Sequence, residues 1–497
     1  MIIEDLLNNS NRISLSEYKV FIFNLLKKIQ DKNNKPLKID GLEAFAEKGI
    51  DDIPNTTCIR VTRTIDKKRN LDVFFRSFQK RVSNLSKEEI TNSLFIPMDN
   101  FPESSLTTFK EKAATYFPHS KIIVWNTQKI SNIIKKYNKE ANEIANQLFT
   151  LQIKEALERD DSNWKTKQKE KIEDLKEIYK KGTLSLLLGA GVSSSAGMPD
   201  WNTLLNSLFF SLLSKKFNKS NQTSNSDIEQ IVKRFSEING QSALILARYL
   251  KNGLNNKSKE AEKFTNEIAT NLYKLRDKTK DESSELIKAI VNMCIPLRTG
   301  AKVKSVITYN FDNLLEKELN KFHIHNHSIY SDDVNLDPDE LPIYHVHGFL
   351  PEDTSNYKDL DKSTLVFSED GYHKIYSDAY HWSNLIQLTS LKENNCLLIG
   401  LSMNDPNLRR LLEIATRNSD KIRHYVFMKR ISKDEFIYKR KEKDKIKVIS
   451  NESGASLFLE NHHLINEDIM RELGLSVIWY TDYDEIPKIL NEITAVH

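Results

Sequence analysis

The sequence predicts an α/β protein: a doubly wound parallel sheet with a helical insertion, preceded by a smaller N-terminal α/β domain. Three observations carry that prediction. The apolar run Leu184–Leu188 has the length of a buried parallel strand, breaks into Gly189-Ala190-Gly191, and is followed from Trp201 by apolar residues at helical spacing. Beyond Val303, short strand-like runs alternate with helical patterns, as βαβ units do. Four of the runs in this half end in turns bearing Gly, Asn, His or Ser. With 497 residues the chain exceeds one ordinary core, so two or three domains are expected.

The elements follow in order. Residues 1–150 form the first domain. Helical periodicity over 16–30 gathers Phe21, Phe23, Leu25 and Leu26 near one face, strand-like runs fall at Thr57–Thr62, 94–97 and 121–125, and a polar amphipathic helix covers 130–149. Residues 151–182 are dominated by charge, yet Ile172, Leu175, Ile178 and Tyr179 keep helical spacing, which predicts a linker helix packing into the second domain. That domain is 183–497. Its helical insertion at about 202–297 contains a polar stretch at 215–227. The last strands are expected at 424–428 and Leu475–Tyr480, with a helix after Tyr483.

Composition narrows the class. The 73 basic and 69 acidic residues nearly balance, at a formal charge of +4, which argues against a dedicated polyanion binder and leaves nucleic acid open through local patches. Three cysteines, Cys58, Cys294 and Cys396, stand far apart in apolar runs. They make neither a disulfide framework nor a four-cysteine zinc site, and a reducing cytosol is the compartment expected. No segment approaches the ~18 consecutive apolar residues of a membrane helix. The N-terminus lacks the basic-then-apolar secretory pattern. The expectation is a cytoplasmic protein with no membrane partner.

A strand, a glycine turn and a helix make a phosphate cradle, because glycine lets the backbone approach the anion and a helix start offers free N–H groups. The spacing is not that of a dehydrogenase, whose Gly-x-Gly-x-x-Gly wants its third glycine three positions on. Here Gly197 comes six positions after Gly191, and the Walker lysine is missing. Three further turns follow strand-like runs: Asn310-Phe311-Asp312, His347-Gly348, and Gly400-Leu401-Ser402 with Asp405-Pro406-Asn407 behind it. In an open parallel sheet, ligands bind outside the carboxyl ends of the strands, so these distant turns are expected to converge at one mouth. Plainer roles exist for several residues. Asn310 or Asp312 can cap the helix containing Leu314 and Leu315. His345 reads as a packed strand residue, His373 and His381 as structural residues on helical surfaces, and Tyr372, Tyr376, Tyr380 and Trp382 as core or interface.

The stretch Gly189-Ala190-Gly191, with Ser193, Ala196, Gly197, Pro199, Asp200 and Trp201, resembles the opening motif of the sirtuin family, Gly-Ala-Gly-x-Ser-x-x-x-Gly-x-Pro-Asp. The other three turns match that family's Asn-x-Asp, His-Gly and Gly-x-Ser motifs in order, and the resemblance covers roughly residues 165–497. It implies a sirtuin-like Rossmann-type fold whose helical insertion lies over the ligand. It implies NAD as that ligand, with the pyrophosphate over 189–193 and the adenosine near Gly400 and Ser402. Phe311 and Asp312 would face the nicotinamide, and Asn310 and His347 would be catalytic. A neutral imidazole accepts a proton near neutral pH, and an amide orients water or a ribose hydroxyl without adding charge.

Departures redirect the expectation. Protein-deacylating sirtuins carry four zinc cysteines between the second pair of motifs, whereas Cys396 alone lies between Gly348 and Gly400, and Asn202 replaces an arginine. No zinc is expected, deacylation is put in doubt, and water becomes the acceptor. The chain more closely resembles the bacterial sirtuin-like NADases of anti-phage defence. That resemblance implies an NAD+ glycohydrolase yielding nicotinamide and ADP-ribose, oligomeric, and silent until a partner ATPase or phage-derived trigger protein engages it. A non-catalytic NAD or ADP-ribose sensor and an ADP-ribosyl transferase stay open as alternatives. Residues 49–52, the strand at 58–63 and Trp125 resemble restriction-endonuclease-like domains. Arg60 and Thr62 stand where that motif needs an acid and a lysine, so a catalytically dead scaffold for assembly or sensing is expected there.

Overall fold

The computed structural model describes residues 15–32, 35–40, 43–65, 71–85, 90–148, 150–151, 163–217, 247, 260–332, 337–367, 369–378, 380–416, 422–441 and 444–495. They fall into two compact units divided near residue 162, with the segment 460–472 grouped with the first.

The first unit is built on a five-stranded sheet in the order β1-β2-β3-β4-β5. The strands are β1 Leu37–Asp40, β2 Glu43–Ala46, β3 Thr57–Thr62, β4 Asn92–Pro97 and β5 Lys121–Val124. The first three run antiparallel, and β4 and β5 continue parallel to β3. Alternation along β3 and β4 feeds two cores, as a period-2 pattern must. Ile59, Val61, Leu94 and Ile96 join Phe21, Leu25 and Ile130 on one face. Cys58 and Phe95 join Phe74, Phe75, Phe78 and Phe109 on the other.

One sequence expectation needs correction here. The helix expected over 130–149 is two helices, Thr127–Lys136 and Asn138–Asn146, separated at Tyr137. The hairpin β1–β2 was not foreseen, because four-residue strands are too short for alternation to be legible. Arg60 pairs with Glu43, its register partner, and both are buried. Its guanidinium lies 5.2 Å from the Phe74 ring centroid.

The second unit holds a seven-stranded sheet in which every pairing is parallel. Its strands in chain order are β6 Leu184–Leu188, β7 Val303–Thr308, β8 Asn326–Ile329, β9 Leu341–His345, β10 Asn395–Ile399, β11 His424–Lys429 and β14 Leu475–Tyr480. A separate antiparallel hairpin joins β12 Tyr438–Lys441 to β13 Asp444–Lys447. The spatial order is β14-β11-β10-β6-β7-β9-β8. All five residues of β6 are buried, which explains why a strand covered on both faces reads as one apolar run.

Leu186, Val306, Ile343 and Leu397 share a core with Ile172, Leu175 and Tyr179 of the helix Trp164–Lys180. That charged segment is therefore an integral part of the second unit. Lys171 Nζ and Gln168 Nε2 donate to the carbonyls of Val477 and Trp479 at 2.7 and 2.6 Å. Leu187, Ile307 and Leu398 alternate to the opposite face and are buried as well. On that face the Tyr309 hydroxyl donates to Gln387 of the helix Trp382–Glu393 at 2.5 Å.

The described part of the insertion comprises the helices Trp201–Phe217, Glu260–Lys274 and Glu285–Cys294. The polar stretch expected at 215–227 lies, from 218 onward, outside the described residues. No described helix is long and apolar enough to cross a membrane.

Connectivity locates the cleft. The chain passes from β6 to β7 on one side and later takes up β10 on the other, so β6 and β10 flank the point where strand order reverses. Ligand crevices of doubly wound sheets open there.

Candidate active site

Gly189 follows β6 directly, and a short helix, Ala190–Ser195, starts at once. The glycines therefore sit at a helix start rather than in an open loop. Their need to be glycine comes from β10. The Gly189 and Gly191 amides donate to the carbonyls of Ile399 and Gly400, each at 2.9 Å. A Cβ on Gly191 would lie 2.8 Å from Gly400 Cα, and one on Gly400 would lie 2.7 Å from the Val192 nitrogen. Two backbones touch with no room for a side chain between them. Gly197 adopts φ +91°, and its carbonyl accepts from the Asp277 amide at 2.8 Å, tying the turn to the insertion.

The Asn310 turn locks onto this cradle. Asn310 Nδ2 donates to the Gly189 carbonyl at 3.0 Å, and the Tyr309 amide donates to the Leu188 carbonyl at 2.9 Å. Asp312 is buried and accepts hydrogen bonds from the Ser193 side chain and, at 3.2 Å, from the Leu314 amide. Burial pushes its carboxyl above the ordinary carboxylate range, and the Ser193 bond opposes that rise. Asp312 thus satisfies the first amide of the following helix, whose N-cap position is Asn313, while also gripping Ser193. The Phe311 ring packs 6.2 Å from Trp201, the first residue of the insertion helix.

His347 lies two residues beyond the end of β9, whose neighbour β7 carries Asn310 at its own end. The imidazole stands edge-on to Tyr309, with centroids 4.8 Å apart, and to Tyr372 at 5.8 Å. Its Nε2 is 3.5 Å from Asp405 Oδ2. Burial lowers its pKa from the usual imidazole value, and the Asp405 carboxylate acts in the opposite direction. A largely neutral ring at pH 7 is a competent proton acceptor.

His345 is built into the wall instead. It is buried, with Nε2 2.6 Å from Glu316 Oε1 and Nδ1 3.3 Å from the Asn310 carbonyl. It supports the backbone of the Asn310 turn. His381 caps the helix Trp382–Glu393, its side chain accepting from the Ser383 amide. His373 is exposed on the helix Glu369–Ser377.

Of the residues singled out in the sequence, Gly189, Gly191, Ser193, Asn310, Asp312 and Gly400 form one hydrogen-bonded or packed set. Ala190 lies within the same turn. Pro199 is half-buried beside Asp200, and Asp200 caps the insertion helix, accepting from the Thr203 amide at 2.7 Å. Ser402 is exposed, with its hydroxyl turned to the Asn404 amide of its own loop at 3.4 Å. All three cysteines are buried with thiols pushed up to about 12, so none is a ready nucleophile.

Sequence reasoning missed Asp405 and Tyr372. The Tyr372 hydroxyl donates to Asp405 Oδ2 at 2.6 Å, which ties the His347 partner to a residue set aside as core or interface. The legible signal was Asp405-Pro406, an acidic cap before a helix-starting proline directly behind the Gly-x-Ser turn.

The profile of the SIR2-like domain matches residues 304–449, which hold Asn310, His347, Asp405 and the Gly400 turn. The glycine turn at 189–193 lies before that match. Over 330 residues, 65% of this chain, the sequence is 24% identical to the NAD(+) hydrolase ThsA of Enterococcus faecium. The alignment spans 57% of that relative's length. The chain carries a SIR2-like domain.

Proposed function

We propose that this SIR2-like chain hydrolyses the nicotinamide–ribose bond of NAD+, releasing nicotinamide and ADP-ribose. The observation that carries the reading is the joining of two turns, the glycine cradle after β6 and the Asn310 turn after β7, with His347 at the end of adjacent β9. The SIR2-like match and the NAD+-hydrolysing relative support the choice of dinucleotide.

In this reading the pyrophosphate lies over residues 189–193, the turn between β6 and the helix Ala190–Ser195. Phe311 and Asp312 contact the nicotinamide end, and Gly400 and Ser402 the adenosine. The C1′–N bond breaks with its electron pair passing to the pyridinium nitrogen, so nicotinamide leaves neutral and the sugar becomes oxocarbenium-like. Asn310 orients the attacking water. His347 takes that water's proton as the new C–O bond forms, a contribution of typically ~10²–10⁴-fold for a general base. Depletion of NAD+ in the cytoplasm of phage-infected cells is the proposed role, with the N-terminal domain serving assembly or sensing of a trigger.

The test is chromatographic detection of nicotinamide from purified full-length protein and NAD+, alone and in cells, where expression should be toxic. His347→Ala and Asn310→Ala must abolish both release and toxicity. Full activity in either variant overturns the assignment, and saturable NAD+ binding with no turnover or toxicity favours a sensor.

A further inference from the structure

We infer that Asp405 is the positioning carboxylate of His347, held in place by Tyr372. The inference rests on the reading of the cleft as an NAD+-cleaving site, and it adds two residues that no family motif named.

Both oxygens of Asp405 are committed. Oδ1 accepts from the Leu408 amide at 2.7 Å as the cap of the helix Pro406–Thr416, and Oδ2 accepts from the Tyr372 hydroxyl at 2.6 Å. A carboxylate pinned at both ends has little freedom to turn, and Oδ2 is the oxygen that faces His347 Nε2 at 3.5 Å. Catalytic hydrogen bonds often stand this long until substrate tightens them. With Nε2 as the nitrogen that gives its hydrogen to Asp405, Nδ1 is left bare to accept the proton of water. The ring is also held edge-on between Tyr309 and Tyr372.

Charge follows the same logic. The titratable groups facing His347 are Tyr309 from β7, Tyr372 from the helix Glu369–Ser377 and Asp405 from the turn after β10. Burial holds both tyrosines neutral well above pH 7, so Asp405 is the one anion of the three. When His347 becomes an imidazolium, Asp405 supplies its counter-charge, as the carboxylate of a Ser-His-Asp triad does. The proton passes from water to Nδ1, and none moves to Asp405.

Asp405→Asn keeps the side-chain size and an oxygen for the Leu408 amide while removing the charge. Wild type, Asp405→Asn, Tyr372→Phe and His347→Ala are compared as full-length proteins. The imidazole titration of His347 is followed by NMR, its signal identified as the one missing in His347→Ala, and nicotinamide release is resolved into kcat and KM. The expected result is that Asp405→Asn moves the His347 titration to lower pH and cuts kcat by at least about 10²-fold with KM for NAD+ unchanged. Tyr372→Phe moves both in the same direction by less. An unchanged His347 titration in Asp405→Asn overturns the pairing. A wild type that releases no nicotinamide and is not toxic on expression in cells overturns the reading of the cleft instead, and the titration still decides the pairing.

Discussion

Replacing Gly400 by alanine should damage the cradle more than the same change at Gly191, although both add a methyl group to one contact. At Gly191 the new Cβ meets Gly400 Cα at 2.8 Å, so the two backbones must separate. Overpacking of that kind costs about 1–3 kcal/mol. At Gly400 the new Cβ meets the Val192 nitrogen at 2.7 Å, and the residue also sits at φ +69°. The left-handed region adds roughly 1–2 kcal/mol for any residue with a Cβ, giving a total of about 2–5 kcal/mol. A domain is stable by about 5–15 kcal/mol, so both variants should fold, Gly400→Ala with the smaller margin. Urea unfolding of each full-length variant reads the stability, and nicotinamide release against NAD+ concentration reads the cradle. Both variants should raise KM, since the turn 189–193 shifts when the Gly400 backbone is pushed away. The reasoning fails if Gly191→Ala is the less stable of the two, or if Gly400→Ala binds NAD+ as the wild type does.

Other outcomes follow from the same geometry. His347→Ala should lower nicotinamide release by ~10²–10⁴-fold, read by chromatography, with a thermal unfolding curve close to wild type. Glu316→Ala removes the acceptor 2.6 Å from buried His345 and should cost about 1–3 kcal/mol in urea unfolding. It should also raise KM for NAD+, because His345 supports the Asn310 backbone. Burial, helped by the neighbouring Arg423 guanidinium, lowers the His424 pKa from 6.5 to about 4. The unfolded chain therefore binds a proton below pH 6.5 that the folded chain refuses. Stability is fully present above pH 6.5 and falls by about 3 kcal/mol as pH drops toward 4. Urea midpoints measured across that window should slope, and His424→Asn should flatten the slope.

Which parts of this molecule could be read from the sequence has physical reasons. A strand covered on both faces must be apolar throughout, so Leu184–Leu188 announced itself, and a turn pressed against another backbone must use glycine. The turn residues Asn310 and His347 stood out because they are polar groups at the ends of apolar runs. What stayed hidden depends on contacts between distant segments. Nothing local tells that Glu316 lies under His345, or that Tyr372 and Asp405 meet behind His347. Those pairings arise only when β7, β9 and β10 stand in register. The break at Tyr137 and the four-residue strands of the β1–β2 hairpin were lost for the opposite reason, since they are shorter than the windows in which periodicity is visible.

The most direct test is a crystal structure of the full-length His347→Ala variant soaked with NAD+, in which slow turnover keeps the dinucleotide whole. The account predicts electron density with the pyrophosphate over residues 189–193 and the nicotinamide ribose between Asn310 and residue 347. Density that lies elsewhere, or that runs in the reverse direction with adenosine at Asn310, would contradict it.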